Sequence, residues 1–403
     1  MRSPEEHEPS VVDRPPEIGT PGNGCSLPTA FSSRRLAPEV REVSWYDRPV
    51  RREQLGVRRS VVATASGVSA MGQRVVECEL IGELESADPS RWVVVHRSVR
   101  PWRSPGPNGT RLPLRLVSAA PTRVQRVIGG LAYGRSDVVH RLDLRALPGT
   151  RPEVLTVHDL APLRFDDEGA LPDGWRRSIA GADAVTTGSA YVADEIAAEC
   201  GTARPVVVPH GFDPRLLVHD ELTVDDRRRL GIHGRFVLHA GGATARKNLE
   251  GLADAWRAVS SRHPDVQLVL CGPPHPRRDE LFGGVDRCLS LGRVPRPTMI
   301  GLLRAATMVV VPSLYEGFGL PVLEATVVGV PVVTARRSSL PEVAGPGAIL
   351  VEPDGDGIAG GIERCLTDPP AADVLEAARQ RALGFAWERA AAAYLDIYDR
   401  LVS

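Results

Sequence analysis

Short apolar runs alternate with amphipathic stretches along most of the chain. The runs are rich in valine and leucine and end at glycine, proline or charged residues, which is typical of strands buried on both faces of a parallel sheet. The stretches between them carry apolar residues at helical spacing. The pattern predicts strands at residues 59–66, 92–96, 137–140, 153–157, 184–187, 206–208, 236–240, 266–271, 308–312 and 330–334. Because strands and helices alternate throughout, the sequence predicts parallel α/β sheets.

The most informative stretch is the loop after the predicted strand that stops at Pro312. Pro321 suits the first turn of a helix, because its fixed φ is helical and its missing N–H would have no partner there. The loop 317–320 therefore brings backbone N–H groups to a helix N-terminus, where an anion can bind. Glu316 and Glu324 flank the loop. Carboxylates can accept hydrogen bonds from pairs of sugar hydroxyls, so the two glutamates suit a sugar ligand. The alternative is that Glu324 only complements the helix dipole and that Glu316 is solvated.

The spacing of these two glutamates carries a resemblance to a known family. Glu316 and Glu324, with Gly-Phe-Gly-Leu-Pro-Val-Leu between them, resemble the E-x7-E signature of the family 4 retaining glycosyltransferases, which have the GT-B fold. The resemblance implies that Glu316 holds the hydroxyls of the donor sugar and that Glu324 holds the ribose.

A second candidate anion site follows the predicted strand 236–240. Gly242 allows a close approach of the backbone, and Arg246 and Lys247 stand at a helix start. A forked guanidinium beside a compact ammonium suits a diphosphate, although a solvated charge pair is the ordinary alternative. Segment 246–248 resembles the diphosphate-binding segment of the same family. Only Lys247 is lysine among 49 basic residues, which favours a position where a compact ammonium is preferred; chance survival of one lysine is the alternative.

Polar residues follow two predicted strands of the first half of the chain. Arg141, Asp143, His158 and Asp159 lie at the carboxyl ends of these strands, the edge that faces ligands in open α/β sheets. We expect them on the acceptor side. His158 can donate a hydrogen bond to a sugar, and a histidine bonded to backbone carbonyls is the alternative; segment 156–160 resembles the family's strand-end histidine segment.

Gly72 lies between the predicted strand 59–66 and a predicted helix. Strand, glycine loop and helix together form a geometry that holds phosphate on backbone N–H groups. The family usually carries a glycine pair in this loop, whereas only Gly72 is well placed here. A simple turn is the alternative.

Composition excludes several classes of partner. A net charge of −1 and a pI of about 6.8 give no reason to expect nucleic acid. No signal-like start and no run near the ~18 apolar residues of a membrane-spanning helix is present, so we expect a cytoplasmic protein, with peripheral attachment to the inner membrane left open. Six scattered cysteines predict neither a disulfide framework nor a metal site. Asp354-Gly-Asp356 precedes a predicted helix, which favours capping over metal binding.

The resemblance, which covers roughly residues 59–400, implies an α/β GT-B fold with two Rossmann-like domains whose parallel sheets face an interdomain cleft. We predict a disordered Pro-rich tail at 1–57, an acceptor-binding domain at 58–212 and a nucleotide-sugar-binding domain at 213–385. A C-terminal helix at 386–403 is expected to pack back on the first domain.

The implied activity is retaining, metal-independent transfer of a hexose-type sugar from a nucleotide diphosphate sugar, a co-substrate, to an acceptor hydroxyl, with no cofactor. The acceptor, whether saccharide, lipid-linked or natural-product, and the donor base stay open. Two alternatives are a silent sugar-nucleotide-binding regulator or scaffold and a GT-B-fold sugar-nucleotide epimerase. The predicted residues are His158, Glu316, Arg246 and Lys247 as catalytic; Gly72, Gly242, Phe318, Gly319, Leu320 and Glu324 as donor-binding; and Arg141, Asp143 and Asp159 on the acceptor side, with no metal ligand.

Overall fold

The structure is a computed structural model of the chain. It describes residues 57–65, 71–101, 110–112, 117, 120–149 and 152–403. The predicted tail at 1–57 lies outside these residues except for Val57, and so does most of the predicted glycine loop, at 66–70.

A parallel sheet of seven strands forms the first part of the described chain, in the order β3-β2-β1-β4-β5-β6-β7. Its strands are β1 Arg58–Ala65, β2 Trp92–Pro101, β3 Thr110–Leu112, β4 Val138–Arg141, β5 Glu153–Thr156, β6 Ala184–Thr187 and β7 Val206–Val207. Every residue of β4 and β5 is buried, as expected for central strands that helices cover on both faces.

A second parallel sheet has six strands in the order β10-β9-β8-β11-β12-β13. Its strands are β8 Arg235–Ala240, β9 Val266–Cys271, β10 Cys288–Gly292, β11 Met308–Val311, β12 Val332–Ala335 and β13 Ile349–Val351. We call β1–β7 and the helices between them the first lobe, and β8–β13 with their helices the second lobe.

Helices cover both sheets. In the described ranges they are α1 Met71–Ala87, α2 Thr122–Tyr133, α3 Trp175–Gly181, α4 Ala190–Cys200, α5 Arg215–Val218, α6 Val224–Arg229, α7 Leu249–Arg262, α8 Pro276–Phe282, α9 Arg296–Ala305, α10 Leu320–Val327, α11 Leu340–Ala344, α12 Gly355–Thr367, α13 Ala372–Ala382 and α14 Trp387–Val402. Short 3₁₀ turns occur at Ala161–Leu163, Asp166–Glu168 and Ala245–Lys247. None of these helices is long and apolar enough to cross a membrane.

The structure differs from the sequence prediction at β2 and β3 and agrees with it at Asp354. The sequence pattern predicts a strand only at 92–96 in this part of the chain, but β2 continues to Pro101 and β3 occupies Thr110–Leu112. Short edge strands rich in arginine and proline lack the apolar signal that marks a central strand. The predicted capping role of Asp354 is confirmed, because its carboxylate accepts the N–H of Gly357 at 2.7 Å.

The C-terminal helix α14 packs on the first lobe. Its Tyr394 and Tyr398 share a core with Val62 of β1, and the Tyr398 hydroxyl is 2.6 Å from Nδ1 of the buried His140. Trp92 also donates its indole N–H to Asp399 at 2.9 Å. The end of the chain thus becomes part of the core beneath the first sheet.

The two lobes make direct contacts near the carboxyl ends of their strands. The Tyr315 hydroxyl, from the second lobe, donates to Glu195 at 2.5 Å and accepts the N–H of Leu160 at 3.0 Å. Glu342 accepts the N–H of Ala190, at the start of α4, at 2.9 Å, a position where the helix dipole favours a carboxylate. The Tyr315 contacts hold the loop after β11 against the loop after β5 and against α4, and the Glu342 contact holds α11 against the start of α4.

Candidate active site

Glu316 is the centre of a charged cluster between the lobes. Lys247 Nζ donates to its Oε1 at 2.6 Å, and Arg246 Nη1 donates to its Oε2 at 2.8 Å. The Ser313 hydroxyl also donates to Oε1, at 2.8 Å. Glu316 is only 6% exposed. The structure therefore brings together three residues that the sequence predicts as catalytic; we call these four side chains the Glu316 cluster.

Burial and charge act in opposite directions on this cluster. Burial favours a protonated Glu316, but Lys247 and Arg246 outweigh it and lower the pKa of the carboxyl to about 2. Burial lowers the pKa of Lys247, and Glu316 acts against that change. Burial also acts to lower the pKa of Arg246, but the charges of Glu316 and Glu168 raise it above its ordinary value. The carboxylate and guanidinium are thus held in their charged forms.

The depressed pKa of Glu316 predicts a pH-dependent stability. Its pKa falls from 4.5 to about 2 on folding, so its stabilising contribution is complete above about pH 4.5 and is lost as the pH falls through about 2. We expect the difference in unfolding free energy between the wild type and Glu316→Gln to shrink over this window. Urea unfolding at a series of pH values measures it, and a constant difference would contradict the assignment.

The turn that carries the two cations is tied to the loop after β11. Asn248 has a left-handed φ of 56° and caps α7, a conformation that asparagine tolerates better than most residues. Its Nδ2 donates to the carbonyl of Pro312 at 3.0 Å and to that of Pro353 at 2.7 Å. The N–H of Leu314 donates to the carbonyl of Arg246 at 2.7 Å. These contacts, which sequence reasoning missed, position Arg246 against Glu316.

Glu324 belongs to a second charged group. Arg296 donates to Glu324 Oε1 at 2.6 Å and, through Nε, to Asp213 at 2.8 Å. Arg296 thus fixes the carboxylate that the sequence predicts for the ribose. Neither partner was predicted, because both are distant from Glu324 along the chain and carry no motif.

The predicted donor loop is held rigidly. Gly319, at the start of α10, has a φ of 109°, which favours glycine. The Ser339 hydroxyl is 2.8 Å from each of the carbonyls of Glu316 and Phe318. The Phe318 side chain is buried, with its ring 4.9 Å from that of His210. Phe318 therefore brings mainly its backbone to the start of α10, and Leu320, the first residue of that helix, packs partly buried against hydrophobic clusters of both lobes.

Gly317 is the closest approach of this loop to the first lobe. A Cβ there would lie 2.3 Å from the carbonyl oxygen of His158 and 2.9 Å from the Cβ of Asp159. We expect Gly317→Ala to destabilise the protein by about 1–3 kcal/mol through overpacking. Urea unfolding tests this, with Gly360→Ala as control: its Cβ would have no neighbour within 4 Å, so it should be neutral or stabilising. Equal effects of the two variants would disprove the close approach.

His158 lies beside this loop as a neutral ring. Its Nε2 is 2.8 Å from the carbonyl of Leu142; since a carbonyl only accepts, Nε2 carries the proton. Burial lowers the pKa of His158, with Asp143 and Asp159 acting against that change. The N–H that was predicted to bind the sugar therefore donates to a backbone carbonyl, which is the alternative given for this histidine. Nδ1 is the ring nitrogen that can accept a hydrogen bond.

The predicted acceptor-side residues have different surroundings. Arg141 is 1% exposed and donates to Glu153 at 2.9 Å and to Ser178 at 2.9 Å, so its guanidinium is enclosed within the first lobe. Asp143 accepts from Gln73 at 2.5 Å. The structure therefore places Asp143 beside α1, with Gln73 as a partner that the sequence did not indicate.

The predicted site residues that remain are Asp159 and two glycines, Gly72 and Gly242. Asp159 accepts the N–H of Ala161 at 3.0 Å, so its carboxylate is bonded to the backbone just before the 3₁₀ turn Ala161–Leu163. Gly72 is an exposed residue within α1. A Cβ at Gly242 would meet nothing within 4 Å. Behind that glycine, Arg278 donates to the carbonyl of Gly241 at 2.7 Å, a support that sequence reasoning missed.

Comparison with known proteins shows which protein family the chain belongs to. The family model described as Glycosyltransferase Family 4 matches residues 55–216, and the one described as Glycosyl transferases group 1 matches residues 225–382. The chain belongs to the family 4 glycosyltransferases. In this enzyme the Glu316 cluster follows β8 and β11 of the second lobe, and Glu168 of the first lobe pairs with its Arg246.

This glycosyltransferase matches one curated relative over nearly its whole length and another over about half of its length. A D-inositol 3-phosphate glycosyltransferase of Arthrobacter sp. (strain FB24) is 29% identical, over 92% of this chain and 96% of that protein. The O-antigen chain mannosyltransferase B of Escherichia coli is 35% identical over 41% of this chain, and the match spans only 46% of that relative's length.

Solved structures share the fold of this glycosyltransferase. Sucrose-phosphate synthase from Thermosynechococcus elongatus has a TM-score of 0.65 at 22% identity and covers 85% of this chain and 99% of its own. Anabaena HepE in complex with UDP-glucose has a TM-score of 0.65 at 18% identity and covers 85% of this chain and 100% of its own. The GT-B fold predicted from the sequence is confirmed.

Proposed function

We propose that this glycosyltransferase moves a hexose from a nucleotide diphosphate sugar to an acceptor hydroxyl, with retention at the anomeric carbon and without a metal ion. The observation that carries the proposal is the Glu316 cluster: a buried carboxylate paired with two cations beside the start of α10. The UDP-glucose in the similar HepE structure supports a nucleotide sugar as donor.

The cations suit the departure of a diphosphate. As the bond between the anomeric carbon and the diphosphate oxygen breaks, negative charge grows on the leaving group, and Arg246 and Lys247 would stabilise it. The acceptor oxygen forms the new bond to the anomeric carbon, and its proton passes to a phosphate oxygen. This balance needs no protein nucleophile, and fixed cations would supply the charge stabilisation that a metal ion gives in other transferases.

Two carboxylates would hold the donor. Glu316 would accept hydrogen bonds from sugar hydroxyls, and Glu324 would accept them from the ribose, with its carboxylate oriented by Arg296. Because Arg296 is bound to Oε1, the other oxygen of Glu324 is the natural acceptor for the ribose. The neutral His158 would accept a hydrogen bond at Nδ1 near the sugar.

A ligand screen tests this function. We expect at least one GDP-, UDP-, ADP- or dTDP-linked sugar to raise the unfolding temperature, and mass spectrometry with candidate acceptors to detect a glycoside. NMR of that product should show the anomeric configuration of the donor, and chelation by EDTA should leave the rate unchanged. The absence of both binding and transfer across the screen would refute the proposal.

The same experiments separate the two alternatives. A silent sugar-nucleotide-binding relative would bind a donor without hydrolysing or transferring its sugar. An epimerase would release nucleotide without forming a glycoside. The intact ion pairs of Glu316 with Arg246 and Lys247 favour the transferase.

A further inference from the structure

Two carboxylates of the first lobe accept hydrogen bonds from the 3₁₀ turn Ala245–Lys247 of the second lobe, which we call the cation turn. Both belong to the 3₁₀ turn Asp166–Glu168, between β5 and β6. Asp167 Oδ2 accepts the backbone N–H of Ala245 at 2.6 Å, and Glu168 Oε1 accepts from Arg246 Nε at 2.5 Å. A backbone N–H and a guanidinium N–H are donors that a phosphate group would use.

The charges in this region are already balanced. Arg246 lies between two carboxylates, with Nη1 on Glu316 at 2.8 Å and Nε on Glu168. The side chains of Arg246 and Glu168 are only 12% and 14% exposed, so solvent screens this ion pair less than a surface pair. Arg246 and Lys247 thus face Glu316 and Glu168, two cations against two anions, and Arg277 Nη1 lies 3.7 Å from Asp167 Oδ2. Each of these cations therefore already has a carboxylate partner before a diphosphate arrives.

We propose that Asp167 and Glu168 are an internal competitor for the donor diphosphate. The two carboxylates hold the anion-binding groups of the second lobe until the nucleotide displaces them. This inference rests on the proposed function, since it needs a diphosphate to bind beside Arg246. Because Asp167 and Glu168 belong to the first lobe and Ala245 and Arg246 to the second, the incoming nucleotide would replace these two contacts between the lobes.

Neutral substitutions of Asp167 and Glu168 distinguish a competitor from a residue that supports the site. Removal of a competitor should tighten nucleotide binding, whereas removal of a supporting residue should weaken it. The variant Asp167→Asn/Glu168→Gln keeps the side-chain shapes and removes the competing charges. We expect it to bind UDP, GDP, ADP or dTDP, whichever the wild type binds, at least about fivefold more tightly, the lower end of coupling between linked sites. Isothermal titration calorimetry on the full chain measures this. The single variant Glu168→Gln should show a smaller gain and serves if the double variant does not fold.

The control removes the same number of charges nearby. Asp166 and Asp173 are exposed, as Asp167 is, but among the described residues neither side chain has a hydrogen bond or ion pair with Ala245 or Arg246. The variant Asp166→Asn/Asp173→Asn should therefore leave affinity within about twofold of the wild type, because its charges act only through solvent. A similar gain in this control would show a general charge effect and overturn the proposal.

The outcomes also separate this inference from the proposed function. If the wild type binds a diphosphate, Lys247→Ala weakens it and Asp167→Asn/Glu168→Gln binds no more tightly than the wild type, the internal competitor is refuted and the proposed function stands. If the wild type binds none of the four diphosphates, both are refuted.

Discussion

Replacing Glu316 with glutamine is expected to lower the rate of sugar transfer by about 100-fold, within the range seen when one preorganised electrostatic group is lost. Glutamine keeps the length of the side chain, but its amide carries no charge and offers donors toward Arg246 and Lys247. The two cations then lose the carboxylate that positions them. Because the cations themselves remain, donor binding should change less than turnover, so kcat should fall more than KM rises.

A glutamate in an exposed ion pair is the matched control. Glu352 pairs with Arg337 at 2.8 Å, and its side chain is 53% exposed. Glu352→Gln should leave both kcat and KM unchanged, since exposed pairs contribute little. Steady-state kinetics and circular dichroism of both variants are the measurements. Full activity of folded Glu316→Gln would remove Glu316 from the reaction.

The central strands and the main cluster could be predicted from the sequence for a physical reason. All residues of β11 are buried, and so are all of β9 except Gln267, so almost every residue in these strands is apolar and the signal is strong. The Glu316 cluster was predictable because Arg246, Lys247 and Glu316 follow strand ends, and the carboxyl ends of parallel strands share one edge of a sheet.

The unpredicted parts arise from contacts between distant segments. Asp213 meets Arg296, and Gln73 meets Asp143, without a local pattern in either case. The Asp167–Glu168 pair is an ordinary acidic turn in the sequence, and only the fold brings it to the cation turn. His158 shows a further limit: its position at a strand end was predictable, but the backbone carbonyl that accepts the hydrogen bond of its Nε2–H was not.

Arginine and lysine have different tasks in this cluster. Arg246 spans Glu316 and Glu168 with separate nitrogens, which needs a planar fork. Lys247 directs one ammonium at Glu316 Oε1 from 2.6 Å. The Lys247 side chain is only 13% exposed, so a larger guanidinium at this position should clash or turn away from the carboxylate.

Lys247→Ala is accordingly expected to lower kcat by at least about tenfold, and by up to about 1,000-fold, the loss that follows removal of one donor to a developing charge. Lys247→Arg should recover little of that loss, since its charge is kept but its shape does not fit. Arg257→Ala, which removes an exposed cation paired with Asp254 on α7, should keep the wild-type rate. Single-turnover kinetics at saturating donor isolate the transfer step from binding. A Lys247→Ala enzyme with wild-type turnover would show that the ammonium does not act on the leaving group, and full activity of Lys247→Arg would show that charge alone is required there.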